Sequence, residues 1–268
     1  MCGIVTVLTR PATRPIPAAE EILAALDGAI ACGTDLDGLA ERARQADRLL
    51  RGAPGVLALA DRPSVVAAIE VRLDELDGLV VAHESRVEED LAGGAADIET
   101  TNSALVRAKD VLWALRHDRL RTAAAVSDLA GRDAGPAALA GFFSVQLALS
   151  AIDRLEVRGR DSAGVHLFLW DHGLHFDDAE LASRLDHRAQ DPLYPSGAVR
   201  LADGTLSFVY KAAAEIGELG DNTAALRAAI RADGLLHLAL ASPGARLSVL
   251  GHTRWASVGI ISSPTPIR

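Results

Sequence analysis

The sequence predicts an α+β protein with a helical block near its start and a mixed half after it. β-Branched and apolar residues alternate over Ile4 to Leu8 and again over Val165 to Trp170, as in strands with one buried face. Asp203-Gly204, between two short alternating stretches, is a strong hairpin signal. From residue 10 to about 135, by contrast, apolar residues recur every three or four positions, which is the spacing of amphipathic helices.

Four apolar stripes predict helices in this block, and each is expected to face the core. They lie near residues 22–26, 36–43, 66–76 and 105–115. The third follows Pro63, a residue tolerated in a first turn. Asn102 or Ser103 is the expected N-cap of the fourth. Gly93-Gly94 and the segment from Gly131 to Gly135 are the expected joints between helices.

The second half is predicted to mix helices and strands. An apolar helix runs from about residue 137 to 158 and ends at Gly159, as helices commonly end at glycine. A turn at 171–173 is expected to lead into a short strand at 174–176. A helix capped by Asp221, Asn222 or Thr223 is expected to stop at Gly234. A last strand begins at residue 246.

The composition limits the classes of binding partner and the cellular compartment that are expected. The 268-residue chain has a net charge of −9 and a pI near 5.4, which argue against nucleic acid or an anionic membrane as the main partner. No signal peptide or apolar run of about 18 residues is evident, so a cytoplasmic protein is expected. His166, His172 and His175 lack partners at fixed spacing, so neither a metal nor another cofactor is expected.

Cys2 is the first residue that can carry chemistry. If Met1 is removed, Cys2 carries both a thiol and a free α-amine, whose ordinary pKa near ~7.7–8 leaves an appreciable fraction neutral at cytosolic pH. Such an amine can take the thiol proton, so the residue is a nucleophile with its own base. A buried small apolar residue at the start of the first strand is the alternative, because free cysteine is commonly a core residue.

Two later segments combine charge with glycine. In 158–164, which reads RGRDSAG, an arginine could bond the backbone near a nucleophile and Asp161 could hold that arginine. A polar connecting loop is the alternative. In 251–257, which reads GHTRWAS, Arg254 stands at a strand end, where its guanidinium can clamp a carboxylate through two parallel hydrogen bonds. Trp255 beside it could wall a pocket or fill core.

Together, residues 1–5, 158–164 and 251–257 resemble the class II glutamine amidotransferase domain of the N-terminal-nucleophile hydrolases. The amino-acid sequences of the last two segments are most similar to those of the glutamine–fructose-6-phosphate transaminases, a family that makes glucosamine 6-phosphate. The resemblance covers residues 1–9 and 137–268 as an incomplete amidotransferase domain and leaves 10–136 as a large helical insertion. It implies an αββα sandwich, with part of that sandwich absent.

The resemblance also implies residue roles. Cys2 would attack the side-chain amide of L-glutamine, release ammonia and form a glutamyl thioester that water hydrolyses. Arg254 would bind the glutamine α-carboxylate, Ser257 would stand where the family usually has threonine, and Trp255 would lie where an ammonia path opens. Arg158 and Asp161 would brace the nucleophile. Val258 replaces a frequent histidine, which weakens one substrate contact. No cofactor is implied.

The end of the chain departs from the family. Where the family reads Pro-Asn-Ala-His-Pro and continues to its Asn-Gly oxyanion donors, this chain reads PTPIR at 264–268. Deleting one nucleotide from suitable family codons gives these five residues, so a frameshifted or truncated front of a longer synthase-like protein is expected. Fructose 6-phosphate would then be a substrate only through absent isomerase domains. Homo-oligomerisation is possible for such a chain.

Two other functions remain open from the sequence. One is a non-catalytic remnant that keeps the nucleophile without the oxyanion hole. The other is a helical interaction module whose motif matches are accidental. Labelling by an electrophilic glutamine analogue and turnover of glutamine separate the three.

Overall fold

The chain is α+β and divides into two compact units in a computed structural model, which describes residues 2–92, 98–159, 161–190, 198–213 and 218–255. One unit comprises residues 1–11 and 126–268 and holds the sheet. The other comprises residues 12–125 and is helical in its described part. The sequence predicts these divisions after residues 9 and 136.

The helical unit contains the helices that the four apolar stripes predict. The elements are α1 (Ala19–Ile30), α2 (Leu36–Leu49), α3 (Gly52–Leu59), α4 (Pro63–Ala92), α5 (Ile98–Trp113) and a π-helical turn (Ala114–Leu120), and α6 (Arg121–Ala130) runs on into the other unit. The N-cap expected at Asn102 or Ser103 is wrong, because α5 already begins at Ile98. The joint expected at Gly93-Gly94 lies outside the described residues.

A buried carboxylate ties together parts of the helical unit. Asp47 on α2 is 2% exposed and accepts hydrogen bonds from Arg51 at 2.8 Å and from Arg119 at 2.7 Å. Two guanidinium partners offset the cost of burying this charge. Arg119 belongs to the π-helical turn, so this contact fixes that turn against α2.

In the sheet-containing unit, strands and helices are interleaved along the chain. Its elements are β1 (Gly3–Leu8), α7 (Pro136–Leu155) with a 3₁₀ turn (Glu156–Arg158), β2 (Ser162–Trp170), α8 (Ala179–Ala189), β3 (Val199–Ala202), β4 (Thr205–Ala212), α9 (Asp221–Ala232), α10 (Gly234–Leu240) and β5 (Arg246–Arg254). The joint predicted at residues 131–135 is confirmed, because α6 ends before it and α7 begins after it.

The five strands form one antiparallel sheet in the order β1-β5-β2-β4-β3. β5, the last strand along the chain, therefore lies between the first two, β1 and β2. The predicted hairpin is confirmed: β3 and β4 are joined at Asp203 and Gly204, whose φ values are 49° and 71°. Positive φ at both central residues is the geometry that favours a glycine in such a turn.

Two local predictions are wrong. Residues 174–176 form no strand, because Asp171 and Gly173 take positive φ and the Leu174 amide bonds the ring of His172, which turns the chain. The cap of α9 is Gly220, not Asp221, Asn222 or Thr223. The stop expected at Gly234 is confirmed, because α9 ends at Ala232 with Asp233 as its C-cap; α10 then begins at Gly234, and its first turn is capped by Asp233.

The sheet has one covered face and one open face. Every second residue of β2, β4 and β5 is buried under α7 and α9, and these positions are almost all apolar. They include Ala163, Val165, Leu167, Leu169, Leu206, Phe208, Tyr210, Leu247 and Val249. The alternate residues point the other way, and Ile4 and Leu8 there are 79% and 76% exposed.

Helix α7 is the apolar helix of this unit. With the 3₁₀ turn that follows, Pro136–Arg158 is the one helix in the described residues that is long and apolar enough to cross a membrane by length and composition, where the sequence analysis saw none. It lies against β1 and β5, and Phe142, Leu149 and Ile152 on it are almost fully buried. Core helices of this kind pass the same test of composition.

Candidate functional site

The three sequence segments singled out above meet at one end of the sheet. On one side of β5, Gly3 pairs with Thr253. On the other side, Ala163 pairs with Thr253 and Ser162 with Arg254. The backbone N–H of Asp161 donates to the Arg254 carbonyl at 3.1 Å and extends the pairing by one residue. Cys2, Asp161 and Arg254 therefore belong to three adjacent strand ends.

The strand alternation gives the face on which this site opens. Gly3 and Thr253 are buried on the helix-covered face, so their neighbours Cys2 and Arg254 lie on the open face. Cys2 is exposed and Arg254 is half-buried. Residues directly opposite each other in an antiparallel pair have Cα atoms roughly 4.5–5.5 Å apart. Continuing the register by one residue places Cys2 opposite Arg254.

Thr253 anchors the residue that follows Cys2. Thr253 is fully buried, and its hydroxyl oxygen accepts a hydrogen bond from the Gly3 N–H at 3.2 Å. A Cβ at Gly3 would lie 2.9 Å from that oxygen and 3.0 Å from Leu155 Cβ. The close approach of strand, hydroxyl and helix α7 therefore requires glycine next to the candidate nucleophile.

Two of the three other motif glycines, Gly164 and Gly251, are also positions of close packing. A Cβ at Gly251 would lie 2.7 Å from Val5 Cγ1 and 2.9 Å from Ile152 Cδ1, between β1 and α7. A Cβ at Gly164, on the open face, would lie 2.4 Å from Cε1 of His252. The His252 ring therefore lies directly over the backbone of β2, and the glycines of all three segments fix how the strands and α7 fit together.

A buried carboxylate holds the segment before Asp161. Glu156 is fully buried and accepts hydrogen bonds from the backbone N–H groups of Gly220, at 2.6 Å, and Thr223, at 3.2 Å. These groups belong to the start of α9, where backbone amides and the helix dipole favour a negative charge. Glu156 thus fixes the 3₁₀ turn that leads to Arg158. Sequence reasoning missed it, because the contact spans more than 60 residues.

Nitrogen-bearing side chains surround Gly164 on the open face. Lys211 on β4 and His252 on β5 both pair with Gly164, and His166 is two residues further along β2. Burial first, and then the charges of Lys211 and Arg254, lower the pKa of His252. Burial alone lowers the pKa of His166 and of Lys211. These residues were not singled out as a group from the sequence, because their shared face depends on the strand register.

The remaining predicted site residues have separate outcomes. Arg158 is exposed at the end of the 3₁₀ turn, and Asp161 is half-buried. Trp255 follows β5 directly and is 50% exposed. Ser257 and Val258 lie outside the described residues. The bracing role of Arg158 and Asp161 and the substrate contacts of Trp255 and Ser257 stay predictions.

A separate cleft of about 730 Å³ opens on the helix-covered side, among α8, β4, α9 and α10. Its buried Asp233 accepts hydrogen bonds from Arg188 and from the Tyr210 hydroxyl, each at 2.8 Å, and also caps α10. Burial raises the pKa of Tyr210 well above its ordinary value. Tyr210 faces away from Arg254, whereas Lys211, which pairs with Gly164, is also among the residues that line this cleft.

Comparisons with protein-family models, curated proteins and solved structures found no match to this chain. The functional argument therefore rests on the residues themselves. The strand ends bring together an exposed thiol, an arginine at the next position of the β1–β5 register and, two residues before that arginine on β5, a half-buried imidazole. This combination suits attack by sulfur on a substrate that carries a carboxylate.

Proposed function

We propose that this chain is a glutamine amidotransferase of the N-terminal-nucleophile type, with Cys2 as its catalytic residue. The observation that carries the proposal is the register of β5, which brings the start of the chain, the Asp161–Ser162 backbone and Arg254 to one end of the open sheet face. These are the three segments on which the sequence resemblance depends. Their meeting across 250 residues supports a shared site.

The chemistry begins with removal of Met1. The neutral α-amine of Cys2 then takes the thiol proton, and the sulfur attacks the side-chain amide carbon of glutamine. Breaking the carbon–nitrogen bond, with that proton passed to the leaving nitrogen, releases ammonia and leaves a glutamyl thioester on Cys2. Water hydrolyses the thioester to glutamate and restores the thiol. The α-amine can serve as base again in this second step.

Arg254 is proposed to hold the α-carboxylate of glutamine. A guanidinium can present two parallel N–H donors to a carboxylate, which fixes its direction as well as its charge. Placing Arg254 opposite Cys2 puts this clamp on the strand next to the nucleophile. Glutamine bound in this way points its side chain along the open face. The resemblance implies Trp255 and Ser257 as further substrate contacts.

We also propose that the sheet is one layer of an αββα sandwich. The helices α7 and α9 on one face and an open second face fit such a layer. The sheet order and the covered face support this fold only at the level of an α+β layer. Fructose 6-phosphate as ammonia acceptor, and with it the transaminase activity, belongs to the resemblance.

A non-catalytic remnant is the second candidate, and one observation favours it. Ile4 and Leu8 are 79% and 76% exposed on the face where a sandwich would place its second sheet. A site without that layer is open to water, and an oxyanion that forms in water gains less from nearby donors than one in an enclosed site. Such a chain would keep the reactive thiol of Cys2 but turn glutamine over slowly or not at all.

Release of glutamate from L-glutamine tests the proposal. Chain with its Met1 removed, as verified by intact mass, is expected to release glutamate, and Cys2→Ala is expected to reduce the rate to background. Cys32→Ala is the matched control, because Cys32 lies in the helical unit with its thiol bonded to the Gly28 carbonyl. Labelling of Cys2 by an electrophilic glutamine analogue without turnover would favour the remnant. Neither labelling nor turnover would refute both.

A further inference from the structure

The open sheet face has an unusual charge composition. Its described strand positions carry four cations (Arg200, Lys211, Arg246, Arg254) and two histidines (His166, His252), and they include no aspartate or glutamate. The whole chain, in contrast, has 36 acidic against 27 basic residues. A basic face on an acidic protein concentrates positive potential where an anionic ligand can be held.

The donors converge around Gly164. Lys211 and His252 flank it on the two neighbouring strands, and the His252 ring covers its Cα. Arg254 lies two residues beyond His252 on the same face of β5, which is roughly 7 Å along a strand. Because Gly164 has no side chain, the imidazole of His252, the ammonium of Lys211 and the guanidinium of Arg254 can approach one ligand.

His166 adds a polar atom without a partner. Its Nε2 is buried and makes no hydrogen bond within the described part of the chain, while its ring packs 4.0 Å from that of Phe168. Buried polar atoms in folded proteins are nearly always hydrogen-bonded, and an unpaired one calls for an explanation such as a ligand. His166 is diagonal to both Lys211 and His252 across β2.

The charges select an anion and not a metal ion. Two imidazoles alone can bind a metal, but the charges of Lys211 and Arg254 lie close enough to lower the pKa of His252 and would repel a cation. The described residues also contain no group of three or more histidine, cysteine, aspartate or glutamate side chains that could hold a metal. Ammonium, guanidinium and imidazole N–H groups are donors suited to carboxylate or phosphate oxygens.

We propose that Lys211, His252, Arg254 and His166 form an oxyanion-binding subsite over Gly164 on the open sheet face. Its ligand is a small organic molecule with a carboxylate or phosphate group, and the neighbouring side chains of Phe168 and Leu250 provide an apolar wall for the rest of it. The subsite adjoins Cys2 but does not depend on chemistry at Cys2. A ligand held by all four side chains makes more polar contacts than Arg254 alone can provide.

Lysine acylation provides the test, because the chain has only two lysines. Lys109 lies in the helical unit and pairs with Glu84, so it serves as an internal control next to Lys211. The chain is exposed briefly to an acetyl-transferring active ester, and acetylation of each lysine is measured in its own peptide by mass spectrometry. Glutarate and inorganic phosphate are the probes, with sodium chloride at equal ionic strength as reference.

Protection of Lys211 is the expected result. At a probe concentration ten times its Kd, about one site in eleven stays free, so acetylation of Lys211 should slow about tenfold while that of Lys109 is unchanged. Protection by glutarate alone identifies a carboxylate ligand, and protection by phosphate alone identifies a phosphorylated one. Equal acetylation of Lys211 in both probes and in sodium chloride would overturn the proposal.

Variants separate this subsite from the proposed glutaminase. His252→Gln and Arg254→Gln should each weaken protection of Lys211, whereas Arg44→Gln in the helical unit should not. Protection that persists in Cys2→Ala shows the subsite even if Cys2 never reacts with a glutamine analogue. Labelling of Cys2 without any protection of Lys211 would remove the subsite and leave the glutaminase proposal intact. Equal protection of Lys211 from acetylation in His252→Gln, Arg254→Gln and the unchanged chain would overturn the proposed subsite.

Discussion

Replacing Thr253 with valine should loosen the strand that carries Cys2. The two side chains have nearly the same shape, but valine lacks the oxygen that accepts the Gly3 N–H at 3.2 Å. Thr253 is fully buried, so the amide loses its partner where little water can replace it. A buried donor left unsatisfied costs about 1–3 kcal/mol. We expect the free energy of unfolding to fall by about that amount.

Thr253→Ser is the matched control. Serine keeps the hydroxyl and loses one buried methyl group, for which about 0.5–1.5 kcal/mol is typical. Urea unfolding measures both losses. Hydrogen exchange at the Gly3 amide separates them, because every 1.4 kcal/mol of lost local protection speeds exchange about tenfold. We expect faster Gly3 exchange in Thr253→Val and near-unchanged exchange in Thr253→Ser.

The same pair of variants links the anchor to the site. If Thr253 positions Cys2 through Gly3, alkylation of Cys2 by an electrophilic glutamine analogue should slow in Thr253→Val more than in Thr253→Ser. Alkylation of Cys2 by iodoacetamide, which needs no substrate site, should change little in either variant. Identical stability, Gly3 exchange and analogue labelling in Thr253→Val and the unchanged chain would refute the reasoning.

Three further predictions concern packing, capping and pH. Gly251→Ala should lower the free energy of unfolding by about 1–3 kcal/mol, because the new methyl group would overlap Val5 and Ile152. Gly234→Ala is the control: the nearest atom to its new Cβ is 3.8 Å away, so the free energy of unfolding should change by less than about 1 kcal/mol. A larger loss for Gly234→Ala in urea unfolding would contradict the packing argument. Glu156→Gln should destabilise the chain by about 1–2 kcal/mol at pH 7, since the α9 amides lose a charged acceptor, and an unchanged urea midpoint would contradict this cap. The free energy of unfolding should also fall between pH 7 and pH 5. Three histidines, one buried and two half-buried, have pKa values below the ordinary 6.5, so as the pH falls the unfolded chain takes up protons before the folded chain does. The slope is at most about 1.4 kcal/mol per pH unit for each histidine, and a flat profile over this window would contradict the prediction. These histidines are His166, His172 and His252.

Local sequence patterns predicted the elements that alternate or repeat clearly. β1, the core of β2, the β3–β4 hairpin and β5 follow from alternation, and α1, α2, α4 and α5 follow from apolar spacing, whereas α3 was not predicted. Helix α8 was missed because it has no buried residue and so no apolar stripe, although Asp178 offers a cap signal. The strand expected at 174–176 failed because positive φ at Asp171 and Gly173 turns the backbone.

The site depends on distances that local patterns do not contain. Pairing of Gly3 with Thr253 joins residues 250 apart, and only the family resemblance indicated that these segments belong together. The partners of Glu156 and the grouping of His166 with Lys211 likewise follow from sheet register and helix placement. Residue types alone indicated a thiol, an arginine and a glycine, whereas their shared face required the fold.

A disulfide between strand ends tests most directly whether Cys2 lies opposite Arg254. In a Cys32→Ser background, Arg254→Cys should form an intrachain disulfide with Cys2 under mild oxidation, since Cα atoms roughly 4.4–6.8 Å apart can be bridged. Leu250→Cys, on the same face but about 13 Å further along β5, should leave both thiols free in the monomer. No bridge in Arg254→Cys, or equal bridging in Leu250→Cys, would contradict the account.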